Sequence, residues 1–189
     1  MTHSTQRLGK LLLTLLLALG LTGIANARGL SKTPPAAPGT AAYETWLTAQ
    51  VRHRLLMLPY YSVFDNLQYL VNGETVTLTG QVARASLKDD AASTVKKIEG
   101  VTSVQNNIEI LPLSPNDSRI RRAEFRAIYS RPQLQRYALG ALPPLHIIVK
   151  NGNVTLEGAV ANNMDKTVAV LAAKGVPGVF SVTDHLAVD

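Results

Sequence analysis

The chain repeats itself, and this duplication constrains its fold more than any other feature. Residues 67–111 and 145–189 align without a gap at a constant offset of 78, and 15 of the 45 aligned positions are identical. Two unrelated segments of this length would agree at only a few positions. The sequence therefore predicts two copies of one structural unit, each burying a small core of its own.

Each copy has the pattern of a β-hairpin followed by a helix and a closing strand. Apolar residues alternate on both sides of Asn72-Gly73, and the second copy repeats this around Asn151-Gly152. Asn-Gly between alternating runs is typical of hairpin turns, because both residues accept a positive φ. An apolar stripe of helical period follows in each copy, and closing strands are predicted over 101–111 and 179–188.

A further helix is predicted ahead of each hairpin. Its apolar stripe ends before Pro59 in the first copy and before Pro132 in the second, and consists of Leu47, Val51, Leu55 and Leu58, then of Ile120, Ala123, Ala127 and Ile128. All apolar strand positions share one face, which both helices should cover. The predicted fold is α+β, with two tandem αββαβ units, each a three-stranded sheet with two helices on one face.

Four glycines recur at matching positions of the two copies. Gly80 and Gly158 lie inside strands, which a glycine weakens. We expect both on the inward face, where a missing side chain lets a helix approach the sheet closely; a ligand contact is the alternative. Gly100 and Gly178 are expected to stop the preceding helices.

The N-terminal segment predicts export. Residues 1–27 have a basic start, an apolar stretch over 11–21 and the ending Ala25-Asn26-Ala27, as in a secretory signal peptide cleaved after Ala27. An uncleaved anchor is the alternative, although a membrane span needs about 20 apolar residues. With no cysteine in the chain, a bacterial periplasm fits best, and the mature protein is expected to be soluble or peripherally membrane-bound.

Two segments that contain proline divide the rest of the chain. Three prolines favour an extended linker over residues 28–40, and a second linker is predicted over 112–117. The expected domains are therefore residues 41–111 and 118–189.

The strand and loop motifs resemble those of a known family. Val-Thr-Leu-Thr-Gly-Gln-Val over 76–82 and Val-Thr-Leu-Glu-Gly-Ala-Val over 154–160 precede a helix and then Gly-Val-x-Ser-Val, at 100–104 and 178–182. This pattern is similar to the BON domain of bacterial envelope proteins, which often occurs as a tandem pair, as in osmotically inducible periplasmic proteins. The resemblance implies a non-enzymatic protein that binds phospholipid or the membrane surface and protects the envelope under stress.

The sequence contains no pattern of residues that indicates an enzyme. His53, His146 and His185 lie in different segments without the i, i+4 spacing of a helical metal site. The sequence has no Gly-x-Ser-x-Gly elbow and no phosphate-binding loop. We therefore expect no catalytic residue, no metal ligand and no cofactor.

An arginine cluster is the candidate binding site. Residues 119–136 carry six arginines against one acid, and three of them fall at i, i+3 and i+7 on a helix. Guanidinium groups bind phosphate bidentately, so the cluster suits an anionic lipid surface; a solvated helix face is the alternative. The candidate residues are Arg119, Arg122 and Arg126 on that face, with Arg121, Arg131 and Arg136 beside it.

A protein partner and a nucleic-acid partner are the alternatives to a lipid surface. The protein is alternatively a scaffold module that docks another envelope protein through the uncovered sheet face or the Tyr60-Tyr61 loop. A basic unit of this kind resembles a nucleic-acid binder, but an exported protein meets little nucleic acid, so no such partner is expected.

Overall fold

The computed structural model describes residues 31, 33–35, 37–140 and 142–189, so the predicted signal peptide lies outside the described residues. The first unit comprises α1 (Ala41–Leu56), β1 (Asn66–Asn72), β2 (Thr75–Val82), α2 (Ala85–Lys96), β3 (Ser103–Asn106) and β4 (Glu109–Ile110). The second comprises α3 (Pro115–Tyr129), a 3₁₀ turn (Gln135–Leu139), β5 (Leu145–Lys150), β6 (Asn153–Val160), α4 (Asn163–Lys174) and β7 (Ser181–Val188). The predicted pair of αββαβ units is confirmed.

The two sheets have the same topology and the same register. The middle strand pairs antiparallel with the strand before it and parallel with the closing strand. Tyr69 stands opposite Leu78, and Ile147 stands opposite Leu156, so the cross-strand pairs also repeat at an offset of 78. The hairpin turns differ, because Gly73 has a positive φ at the first turn whereas both Asn151 and Gly152 do at the second.

The first unit packs its two helices on one face of its sheet. Leu47 and Val51 of α1 and Leu87 of α2 share one core with Val76 and Leu78 of β2. The closing strand, predicted as continuous, is split into β3 and β4. The Asn106 side chain lies at the break, where it donates to the Lys88 carbonyl at 2.9 Å and accepts from Ile108 N at 3.3 Å.

Helix α3 covers the second sheet with a more polar face than the predicted stripe. Ile120 and Ile128 are buried as expected, but Ala123 and Ala127 are only partly buried. The other buried positions of α3 are Asp117, Arg121, Glu124 and Tyr129. Helix α3 begins at Pro115, so the last three residues of the predicted 112–117 linker form its first turn.

The two units are joined by the segment between α1 and β1. Val63 belongs to the buried core of the second unit, and Phe64 packs against that core. The Tyr61 ring stacks on the His146 ring at 5.7 Å between centroids. The second unit is therefore completed by residues that precede the first sheet in the sequence.

The strand glycines have a different role from the predicted one. Gly80 and Gly158 stand in the alternation of the buried strand residues, but neither is itself buried, and their φ values are 103° and 107°. A Cβ at Gly80 would collide with the Asn66 carbonyl, and one at Gly158 with the Pro144 carbonyl. The close approach is therefore to the backbone of the neighbouring strand and not to a helix.

Gly100 and Gly178 lie beyond the helices that they were expected to stop. Those helices end at Lys96 and Lys174, several residues earlier. Both glycines have a positive φ in the loop before the closing strand. A Cβ there would meet the Tyr43 hydroxyl in the first unit and the Arg119 guanidinium in the second.

Candidate functional site

Helix α3 carries the predicted basic face on its exposed side. Arg119, Arg122 and Arg126 are all exposed, whereas Ile120 and Ile128 are buried on the opposite side. The Ser114 side chain caps the helix by accepting from Asp117 N at 3.1 Å. The three guanidinium groups therefore stand on a well-anchored helix, and we call them the basic face.

Arg119 is held in place by neutral groups. Its Nη2 donates to the Asn116 side chain at 2.9 Å, and its Nη1 donates to the Pro177 carbonyl at 3.3 Å. None of the described acidic side chains forms a salt bridge with Arg119, Arg122 or Arg126. The positive charge of the basic face is therefore not neutralised by an ion pair within the described part of the chain.

Arg121 is not part of the surface, contrary to its place among the candidate ligands. Its side chain is 8% exposed, and its Nη2 donates to the Val149 carbonyl at 2.7 Å. Burial lowers the pKa of this guanidinium. Arg121 therefore serves as a hydrogen-bond donor to a backbone carbonyl at the outer edge of β5, and it is unable to reach a membrane surface.

Arg136 is also engaged within the second unit. Its guanidinium forms a salt bridge with Asp165, and the Tyr137 hydroxyl donates to the same carboxylate at 2.5 Å. The bond from Tyr137, together with the Arg136 charge, lowers the pKa of Asp165. Arg131 is exposed just beyond the end of α3, so it is the remaining candidate that can extend the basic face.

Glu124 is the one acidic residue among residues 119–136, and it does not neutralise the positive charge of the basic face. Its side chain is fully buried, and neither carboxyl oxygen has a hydrogen-bond partner among the described residues. Burial raises its pKa from 4.5 to about 8. Near neutral pH the carboxyl is therefore mostly protonated and uncharged.

Most aromatic residues near the arginines serve the fold. The Tyr129 hydroxyl donates to the Leu145 carbonyl at 2.6 Å, and Tyr137 is bound to Asp165. Phe125 is partly exposed, but its ring packs against Tyr129 at 4.8 Å between centroids. The aromatic residues in this stretch of sequence are therefore poor candidates for membrane contact.

Sequence reasoning missed an exposed phenylalanine at the end of the second unit where α3 begins. Phe180 is 79% exposed, and its backbone N–H donates to the Gly152 carbonyl at 2.9 Å. The Asp117 carboxylate accepts from Gly152 N at 2.9 Å, which ties this turn to α3. Phe180 takes the place of Thr102 of the first copy, and this difference is the signal that could have revealed it.

A second exposed apolar residue lies at the same end. Leu113 is 96% exposed and directly precedes the Ser114 cap of α3. Exposed large apolar side chains beside cations suit the boundary between headgroups and acyl chains of a bilayer. Phe180 and Leu113 therefore extend the basic face with apolar groups.

The described residues offer no group of His, Cys, Asp and Glu side chains that would hold a metal ion. His185 pairs instead with Glu157 at 2.9 Å, and His146 is buried against Tyr61. Within the described ranges, no helix is both long and apolar enough to cross a membrane.

The fold and its surface define a tandem binding module, and comparison with known families agrees. The model of the BON domain matches residues 43–112 and 136–189, so the chain belongs to the BON-domain family. BON domains are non-catalytic, envelope-associated binding domains linked to membranes and lipids. The second match begins after α3, so the helix that carries the basic face lies outside the matched residues.

Similar solved structures are distant. One is described as CdsD, a structural protein of the type III secretion system of Chlamydia trachomatis, with 13% identity, a TM-score of 0.31 and coverage of 76% of this chain and 92% of that one. Its C-terminal domain shows 14% identity, a TM-score of 0.27 and coverage of 76% and 97%. No curated protein matches the chain. Both likenesses are too distant to indicate a shared activity.

Proposed function

We propose that this protein is a non-enzymatic periplasmic protein that associates with anionic phospholipid surfaces and acts in protection of the envelope under stress, osmotic stress included. The observation that carries the proposal is the basic face of α3, three exposed arginines without an ion pair among the described residues. A basic residue near an anionic membrane gains about 1 kcal/mol. Three together give a reversible, salt-dependent attachment.

The apolar residues at the end of α3 support the same orientation. Phe180 and Leu113 would enter the headgroup region while the basic face meets phosphate. The neutral form of Glu124 supports it further, because a buried protonated carboxyl leaves the positive charge of α3 uncompensated. The membrane would therefore be met by the second unit, since the corresponding helix of the first unit carries only Arg52, His53 and Arg54 as basic residues.

Export is part of the proposal and rests on residues 1–27, whose pattern is that of a secretory signal peptide. The mature protein would begin at Arg28. N-terminal sequencing of the protein from a periplasmic fraction tests this point, and an intact Met1 in the membrane pellet would contradict it.

Co-sedimentation with vesicles tests the lipid association. The mature chain is mixed with vesicles of phosphatidylglycerol and phosphatidylcholine, or of phosphatidylcholine alone, at 0.1 M and 1 M salt. We expect binding only to the anionic vesicles, and loss of that binding at 1 M salt, where the Debye length falls to about 3 Å. Equal binding to both vesicles would contradict the proposal.

A further inference from the structure

The second unit shows what the outer edge of this sheet can bind. The Ile147 N–H on the free side of β5 donates to the Val63 carbonyl at 2.7 Å, and Val63 is 7% exposed. The following residue, Phe64, packs its ring edge-on against the ring of Phe125 in α3, with 6.3 Å between the ring centroids. Asp65 follows, and its carboxylate turns back to the first unit, where it accepts from Ala83 N at 2.7 Å. A short segment thus lies along this edge through an apolar and an aromatic residue, Val63 and Phe64.

Two backbone carbonyls of the β5 edge also have partners. The Leu145 carbonyl accepts from the Tyr129 hydroxyl, and the Val149 carbonyl accepts from Arg121. Three backbone groups on the outer side of β5 are therefore already engaged.

The corresponding edge of the first sheet is open. Tyr69 stands opposite Leu78 in the register that Ile147 has with Leu156, so its N–H points to the free side of β1. Within the described part of the chain, no group outside the sheet bonds to the backbone of Tyr69 or Val71. An unpaired strand edge is a template for an added strand.

A groove of about 430 Å³ lies beside this edge. Tyr69 forms one side, and Ala49, Arg52, His53 and Leu56 of α1 form the other. Leu56 is 47% exposed, so the groove offers apolar contact as well as positive charge. The first unit therefore has the strand edge that Val63 uses in the second unit, and beside it a helix that carries a cation, Arg52.

We propose that β1 and this groove bind an extended acidic segment of another protein, which adds to the first sheet as a further strand. The backbone of the segment would pair with Tyr69 and Val71, its apolar side chains would contact Leu56, and its carboxylates would face Arg52 and His53. Main-chain hydrogen bonds supply affinity in this mode of binding, and the side-chain contacts supply specificity. This binding is independent of the basic face of α3.

The test uses the segment that already binds such an edge as its probe. A synthetic peptide of residues 60–66 (Tyr-Tyr-Ser-Val-Phe-Asp-Asn) is titrated into the ¹⁵N-labelled mature chain. We expect the amide signals of Tyr69 and Val71 to shift most. Arg52→Glu should weaken peptide binding about fivefold through charge repulsion, while Lys97→Glu, the same charge change on an exposed residue outside the groove, should leave it unchanged.

Four results would overturn the proposal. Shifts confined to Ile147 and its neighbours would show that the peptide only displaces Val63 from the second unit. No shift at millimolar peptide, or equal weakening by both substitutions, would exclude the groove. Perturbation of Tyr69 by anionic vesicles but not by the peptide would assign this edge to the membrane.

Discussion

The backbone N–H of Ile147 donates to the carbonyl of Val63, and these two residues belong to different copies of the repeat. The Val63 side chain is buried in the core of the second unit, beside Leu145 and Ile147 of β5. The stability of the second unit therefore depends on a segment of the first.

Val63→Ala is expected to destabilise the second unit selectively. Removing two buried methyl groups should cost about 1–2 kcal/mol. Amide exchange should accelerate at Leu156 of β6 and stay unchanged at Leu78 of β2. Leu70→Ala, at a residue that is 68% exposed, is the control and should change neither amide. Equal acceleration at both amides would show that the two units unfold together.

Substitution of the strand glycines, Gly80 and Gly158, should lower stability because of their backbone conformation. Gly158→Ala and Gly80→Ala should each cost roughly 2 kcal/mol or more, because the φ is positive and the new Cβ meets a carbonyl of the neighbouring strand. Gly73→Asn is the control, since its φ of 58° suits asparagine and the space around its Cβ is open. Urea midpoints that fall equally for Gly73→Asn and Gly158→Ala would contradict this account.

Glu124 predicts a pH dependence of stability. Burial raises its pKa from the ordinary value of 4.5 to about 8 in the folded chain. Between pH 4.5 and pH 8 the folded state therefore keeps a proton that the unfolded state has released. Stability should therefore fall as the pH rises from about 4.5 to about 8. Glu124→Gln should match wild type at pH 4 and exceed it by on the order of 2–4 kcal/mol at pH 9.

Urea unfolding at the two pH values measures this difference. Glu99→Gln, at an exposed acid of the first unit, is the matched control and should behave as wild type at both. A gain for Glu124→Gln that is the same at pH 4 and pH 9 would refute the assigned ionisation.

Phe180 predicts an apolar contribution to vesicle binding. Burying part of its ring in the headgroup region should be worth about 1.4 kcal/mol, so Phe180→Ala should weaken binding about tenfold. This loss should be similar at low and moderate salt, since it involves no charge. Leu171→Ala removes another exposed apolar side chain, on α4, and should leave vesicle affinity unchanged. A Phe180→Ala protein with wild-type affinity would remove this residue from the site.

The repeated units could be predicted from the sequence because strand alternation and helical periodicity depend only on residues that are close together in the chain. The shared register of the hairpins follows from the constant offset, so Tyr69 and Ile147 occupy equivalent positions. The role of Gly80 was missed because it depends on the Asn66 carbonyl in the facing strand, which no local pattern describes.

The composition of the candidate site was predicted only in part. Periodicity separates Arg122 and Arg126 from the buried side of α3, but it does not reveal that Arg121 binds an edge carbonyl of β5. Arg136 is exposed as predicted, but its salt bridge was missed because the partner, Asp165, is 29 residues away in the sequence. Such pairings depend on tertiary contacts, as does the insertion of Val63 into the second unit.

A triple substitution tests whether the basic face of α3 binds anionic lipid. Arg119, Arg122 and Arg126 are replaced by Gln, and the control replaces three exposed lysines outside α3, Lys96, Lys97 and Lys174, by Gln. Both proteins lose the same charge, and a circular dichroism spectrum and a urea midpoint confirm that each is folded.

The measurement is affinity for phosphatidylglycerol-containing vesicles at 0.1 M salt. At about 1 kcal/mol for each arginine, we expect the arginine variant to bind roughly two orders of magnitude more weakly, whereas the lysine variant should stay close to wild type. Equal affinity of the arginine variant and wild type would contradict the account.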